Sequence, residues 1–167
     1  TPENLFSIET DAPGTLTSLT HASIRNNRCF FSAITLKLAQ LSPEQLYPLI
    51  CNPQAPETLR KLVQSLGKSQ SIFALRLALC IDNCFSPNDI LTLEASRFGK
   101  STVATLANSA MSNNFPVLWE ALANQLLKFS PEDLQAVEGG HANTLSSIRD
   151  AANHFDESPV SVRILNT

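Results

Sequence analysis

The residues that could perform chemistry in this chain are three histidines, four cysteines and one segment that partly matches a phosphate-binding loop. That segment, Gly99-Lys100-Ser101-Thr102, has the closing letters of the P-loop motif, in which backbone N–H groups and a lysine hold nucleotide phosphates. The first glycine of the motif would fall on Glu94, and no strand pattern precedes it. We therefore expect this segment to end one helix and to begin the next.

The histidines and cysteines do not combine into a catalytic or metal-binding pattern. His21, His141 and His154 have no acid or nucleophile at a spacing that general acid–base catalysis would use. Cys80 and Cys84 are one helical turn apart, but no second pair follows at zinc-ligand spacing. The sequence therefore predicts no enzyme, no metal site and no cofactor.

The four thiols are expected to be free. Cys29, Cys80 and Cys84 lie in apolar helical runs, where a free cysteine behaves as a small hydrophobic side chain, and only Cys51 lies outside such a run. The chain opens at Thr1 without a basic and apolar leader, so we expect no secretion signal. Both observations favour a reducing, cytoplasmic location.

Trp119 is the single tryptophan, and it has two interpretations. Tryptophan often anchors protein interfaces, so Trp119 could contact a partner. Its counterparts at a 44-residue step are Leu75 and Phe31, which favours packing in the core.

A polar ladder is a further candidate for binding. Ser32, Arg76 and Glu120 follow one another at 44-residue steps, with Arg163 as the nearest match towards the C-terminus. Helical-repeat proteins place recognition residues on such ladders, because equivalent positions line one surface of the stack. Simple exposure to solvent is the alternative interpretation.

An internal repeat supplies the elements that would position these residues. A serine or threonine followed by proline and mostly acidic or amide residues occurs four times, at spacings of 41, 44 and 44 residues. This pattern caps a helix and places proline at its first position, so each copy predicts a helix start. The copies divide the chain into units 1–41, 42–85, 86–129 and 130–167.

Each unit is predicted to hold three helices. Glycine occurs just after the short first helix in three units, where it would act as a helix stop: Gly14, Gly99, and Gly139 with Gly140. Apolar residues at helical spacing then mark a second helix and a third. No unit can bury its apolar stripes alone, so stacking is required. The predicted fold is an all-α solenoid. The third-helix runs are Phe30–Leu41, Ile72–Phe85, Val117–Phe129 and Val160–Leu165.

Three helices in a unit of about 42 residues, the first short and closed by glycine, resemble the armadillo repeat. The segment 134–148 is similar to the first two helices of that family, and segment 120–124 is similar to its third helix, where an asparagine holds a bound peptide. The resemblance implies a right-handed superhelix and peptide binding through Asn124. The equivalent positions of the first two units hold Leu36 and Cys80, so the asparagine ladder of the family is interrupted.

A second resemblance implies different chemistry. The segment 85–106 is similar to the helix pair of bacterial transcription-activator-like effector repeats, in which residues between the helices read DNA bases. It implies base reading by Ser96 and Arg97, and a secreted bacterial effector that acts in the host cytoplasm. The chain has 15 acids against 12 bases, for a net charge of −3, and lacks a Lys/Arg stripe for phosphates. We therefore expect a protein partner rather than nucleic acid.

These observations predict a non-catalytic protein–protein interaction module or scaffold. Two alternatives stay open, a nucleic-acid-binding helical repeat and a scaffold domain of a larger enzyme. The longest apolar stretch, 71–81, is too short to cross a bilayer, so no membrane partner is expected. The last unit ends on an apolar helix that includes Val162 and Leu165, and we expect it to continue into further chain or to contact a second copy.

Overall fold

The computed structural model describes residues 1–167 and contains twelve α-helices, one short 3₁₀ helix and no strand. We describe the α-helices as four consecutive groups of three. In chain order they are α1 (Pro2–Asp11), α2 (Thr15–Asn26), α3 (Arg28–Leu38), α4 (Pro43–Ile50), α5 (Thr58–Gln64), the 3₁₀ helix (Lys68–Gln70), α6 (Ser71–Cys84), α7 (Pro87–Ala95), α8 (Thr102–Asn113), α9 (Pro116–Leu126), α10 (Pro131–Gly140), α11 (Thr144–His154) and α12 (Pro159–Leu165).

The first helix of every group begins as the Ser/Thr-Pro pattern predicts. In each case the hydroxyl of the capping residue accepts a hydrogen bond from the backbone N–H three residues later, which satisfies one of the unpaired donors of the helix start. In the last three groups the side chain of that same residue, three positions after the cap, accepts a hydrogen bond from the backbone N–H of the capping residue and completes a capping box. The capping residues are Thr1, Ser42, Ser86 and Ser130.

The groups stack on one another in a solenoid-like arrangement. Second helices pack on second helices along the series α2, α5, α8 and α11, and third helices do the same along α3, α6, α9 and α12. The first helices α1 and α4, and again α7 and α10, are also neighbours. In eight of the nine pairs of helices three places apart in the chain, the two helices therefore pack together, which is the pattern expected of a helical repeat.

One continuous apolar core runs through the stack, and hydrogen bonds between groups supplement it. The buried Gln125 of α9 donates through Nε2 to the carbonyls of Ile81 and Phe85, at 3.0 and 3.1 Å, at the end of α6. Thr17 of α2 and Thr58 of α5 share a buried hydroxyl–hydroxyl bond of 2.7 Å. These bonds satisfy polar groups that would otherwise be costly inside the core.

A buried or half-buried glutamate joins the first helix to the second in three of the four groups. Glu9, Glu94 and Glu138 occupy the same position, seven residues after the helix-starting proline. Each carboxylate accepts hydrogen bonds from two backbone N–H groups at the start of the next helix. Negative charge is favourable at a helix N-terminus, so these glutamates fix the angle between the two helices. The second group has Ile50 instead.

None of the glycines is the helix stop that the sequence pattern predicts, and α7 already ends at Ala95, four residues before Gly99. Gly14 is the N-cap of α2 and has a φ of +93°, and Gly139 and Gly140 are the last residues of α10. The left-handed backbone is needed just before the second helix, where Ser101 and Asn143 adopt it in the third and fourth groups. The expected stop was wrong for Gly14 because its left-handed backbone starts the second helix, while α1 already ends at Asp11.

Gly99 is required by close packing, and replacing it with alanine is expected to destabilise the protein by about 1–3 kcal/mol. A β-carbon there would collide with the carbonyl oxygen of Leu93 and lie 2.5 Å from the hydroxyl of Ser96. Gly139 is the matched control, because nothing lies within 4 Å of its added β-carbon and alanine favours a helix. Thermal unfolding of both variants tests this, and equal melting temperatures would contradict the packing argument.

No helix here combines the length and the hydropathy that crossing a bilayer requires.

Candidate functional site

The row of third helices carries most of the large apolar side chains that remain exposed. Because α3, α6, α9 and α12 lie side by side, their outward surfaces form one face, which we call the third-helix face. Of the twelve exposed large apolar residues in the chain, eight belong to it. They are Phe30, Leu36, Ile72, Leu75, Leu79, Val117, Val162 and Leu165.

The apolar exposure is greatest on α6. Ile72, Leu75 and Leu79 are 63%, 50% and 40% exposed. Their spacing of three and then four residues places them on one stripe of the helix. This spacing is also that of the a and d positions of a coiled coil, the stripe against which another helix packs. The stripe is therefore suited to a helical partner.

The predicted polar ladder instead connects neighbouring groups. The hydroxyl of Ser32 accepts a 3.0 Å hydrogen bond from Gln70, and Glu120 accepts one of 3.2 Å from the hydroxyl of Ser158. Arg76 donates through Nε to the carbonyl of Ala39 at 3.1 Å. All three side chains are half-buried. They can present only part of their surface to a partner.

Asn124 and Arg163 are both exposed, and the structure brings them together. They line one cleft of about 410 Å³ between α6, α9 and α12, together with Asp82 and Lys128. Burial raises the pKa of the Asp82 carboxyl, while Asn124 and the positive charge of Lys128 oppose that rise. The cleft is polar and carries charges of both signs.

Trp119 is completely buried and belongs to the core. Its indole N–H donates a 2.8 Å hydrogen bond to the hydroxyl of Ser161, and its ring stacks on Phe155 with 6.5 Å between centroids. The packing interpretation is the one that the structure supports. The 44-residue step does not identify the structural counterpart of Trp119 on α6. Phe31 and Trp119 are buried, but Leu75 is half exposed, and it is the neighbouring Ala74 that is buried.

The change of register has a local cause. The connection before α6 contains the short 3₁₀ helix Lys68–Gln70, which has no counterpart before α3 or α9. The buried positions of α6 lie one residue earlier than a strict 44-residue repeat would place them. Arg76 is therefore not the exact structural equivalent of Ser32 and Glu120, and the ladder is staggered.

The cysteines are all free, as the sequence predicts. Cys80 is buried and its thiol donates to the carbonyl of Pro43 at 3.3 Å. Burial raises the pKa of the Cys51 thiol to about 11 and raises that of Cys80 further. Thiols of this kind are poor nucleophiles at neutral pH, because the reactive species is the thiolate. Cys51 and Cys80 therefore act as apolar packing groups.

Gly99, Lys100 and Ser101 lie in the connection between α7 and α8, and Thr102 begins α8 as expected, whereas α7 already ends at Ala95. No group of three or more His, Cys, Asp or Glu side chains is arranged to hold a metal ion. Searches against protein-family models, curated proteins and solved structures found no match for this chain.

Proposed function

We propose that this chain is a non-catalytic protein–protein interaction module, a scaffold of stacked helical units that binds a helix of its partner. The observation that carries the proposal is the apolar stripe of Ile72, Leu75 and Leu79 on α6. Exposed large apolar side chains that cluster on one face are typical of interaction surfaces.

The spacing on α6 specifies the kind of partner segment. An amphipathic helix binds through apolar side chains at positions i, i+3, i+4 and i+7, and α6 offers the matching pattern. Leu36 on the neighbouring α3 extends the apolar surface sideways. Arg76 lies beside Leu75 on the stripe, so an acidic residue at the edge of the bound helix would be favoured.

The armadillo-like, right-handed form of the stack is part of this proposal. Three helices per unit and the regular packing of equivalent helices support it. The exposed position of Asn124 on α9 makes its amide accessible to a peptide backbone, as the resemblance implies. Contact between two copies through Val162 and Leu165 of α12 is a related proposal, supported by the exposure of both side chains.

The test is a selection of binders from a displayed peptide library, followed by measurements on variants of the chain. We expect the selected peptides to be helical and to lose about tenfold or more in affinity for the double variant L75E/L79E, because each glutamate places a charge against an apolar contact. The control is L145E, which changes an exposed leucine on the second helix α11.

Peptides that bind wild type and L75E/L79E equally would contradict the proposal. Salt-sensitive binding of oligonucleotides, with no peptide selected, would favour the nucleic-acid alternative instead. Both variants alter exposed side chains, so circular dichroism should show wild-type folding for each.

A further inference from the structure

A cleft lies between the first two groups of helices, and none of the three stripe residues of α6 lines it. Its volume is about 530 Å³, within the size range of small-molecule sites in proteins. Its walls come from α2 and α3 on one side and from α5 and the 3₁₀ helix on the other. We call it the basic cleft.

The charges around this cleft are all positive. The cleft is lined by Arg25, Arg28, Lys61 and His21, and by no aspartate or glutamate. The chain as a whole has more acids than bases, so this concentration of cations is a local property. Cations that converge on a cleft with few compensating charges attract an anion.

The floor of the cleft is a fixed network of polar groups. Gln70 is only 8% exposed, and its amide donates to the hydroxyls of Ser32 and Ser69 at 3.0 and 2.8 Å. Its carbonyl oxygen accepts from the N–H of Gly67 at 2.7 Å, which fixes the orientation of the amide. Neither serine hydroxyl donates a hydrogen bond within the protein, so its hydrogen is available to a ligand.

Another cleft in the stack shows that the helical repeat does not require this charge. Between the third and fourth groups, a cleft of about 460 Å³ lies between the start of α9 and the connection from α11 to α12. It is lined by Glu120, Asp156 and Glu157 and by no lysine or arginine. Clefts between neighbouring groups of helices thus carry opposite charge at the two ends of the stack.

We propose that the basic cleft binds a phosphate monoester group. A dianion with several acceptor oxygens matches two guanidinium groups, an ammonium group and two serine hydroxyls better than a single carboxylate does. The group could belong to a phosphorylated side chain of a protein or to a free small molecule. The proposal is independent of helix binding on α6, since the two surfaces use different residues.

The experiment titrates inorganic phosphate, O-phosphoserine and a phosphoserine peptide into isotopically labelled protein and follows amide chemical shifts. We expect each probe to shift the side-chain amide of Gln70 and the backbone N–H groups of Ser32 and Ser69. Tighter binding of the peptide than of free phosphoserine would identify a phosphorylated protein as the source. Equal affinity would identify a free phosphate compound.

Charge reversal provides the control. The double variant R28E/K61E should weaken binding by about tenfold or more, because two attractive charges become repulsive. R149E makes the same kind of change on the exposed surface of α11 and should leave the affinity unchanged. Binding that is unaffected by R28E/K61E would overturn the proposal, as would equal binding of the same peptide with glutamate in place of phosphoserine.

Discussion

Replacing Trp119 with alanine is expected to lower the free energy of unfolding by about 3–5 kcal/mol, which is the usual cost of truncating a buried tryptophan. The side chain is fully buried and fills the junction between α9 and the last group of helices. Its removal leaves a cavity, ends the stacking on Phe155 and leaves the buried hydroxyl of Ser161 without its donor.

The conservative variant Trp119→Phe separates these contributions. It keeps an aromatic ring but loses the indole N–H, so we expect a smaller loss of about 1–3 kcal/mol. Both variants lack the only tryptophan and therefore its fluorescence. Their urea unfolding is followed by circular dichroism instead. A cost below about 1 kcal/mol for Trp119→Ala would contradict its place in the core and would favour the interface interpretation.

Replacing Glu94 with alanine is expected to cost about 2–3 kcal/mol, because two backbone N–H groups at the start of α8 lose a charged acceptor. Glu94 is 3% exposed, and its carboxylate bonds to the N–H groups of Ser101 and Val103. With alanine at this position, water has little access to replace those bonds. The loss combines a missing helix cap with unsatisfied donors in the core.

Glu138 is the matched control, since it makes the same two hydrogen bonds at the start of α11 in a more exposed setting. There, water can reach the donors when the carboxylate is removed. We therefore expect Glu138→Ala to cost less than Glu94→Ala. Equal losses for the two variants would show that burial does not set the effect.

The two glutamates also predict opposite dependence on pH. Burial raises the pKa of Glu94 above its ordinary value of 4.5, so the folded state binds the proton more tightly than the unfolded state does. Its contribution to stability therefore falls as the pH rises from 4.5 through the raised pKa. Backbone hydrogen bonds from Leu145 and Asn143 lower the pKa of Glu138, so its contribution is lost as the pH falls below 4.5.

The test measures the free energy of unfolding of wild type and of each alanine variant at pH values below and above 4.5. The stability gap between wild type and Glu94→Ala should narrow as the pH rises, and the gap for Glu138→Ala should widen. Stability gaps that change in the same direction with pH for both variants would contradict the argument from burial.

The order of the helices could be predicted from the sequence because short-range interactions encode it. A serine or threonine, a proline and an acid within four residues define a helix start, and Ser42, Ser86 and Ser130 cap the helices that begin after them. Glu9, Glu94 and Glu138 stand at the same position of the repeat, and this is visible in the sequence. Their hydrogen bonds to the next helix could not be predicted, because the partners are backbone groups, which carry no residue-specific signal.

The exposed stripe on α6 could not be predicted, because almost every residue of 71–81 is apolar. A helix that is apolar all round has no face that the sequence marks as buried. The α6 register follows from the short 3₁₀ helix before it and from packing against α4 and α9. Those contacts bury Ala74 and expose Leu75.

The basic cleft depends on the tertiary structure alone. Arg25, Arg28 and Lys61 are separated by up to 36 positions and show no spacing that suggests one site. The packing of α2 on α5 brings them together, and Gln70 reaches Ser32 only because α3 lies beside the 3₁₀ helix. The sequence by itself determined the helices and their repetition, since residues a few positions apart control helix starts. Packing across units decided which side chains meet, because small changes in connection length rotate each helix against its neighbours.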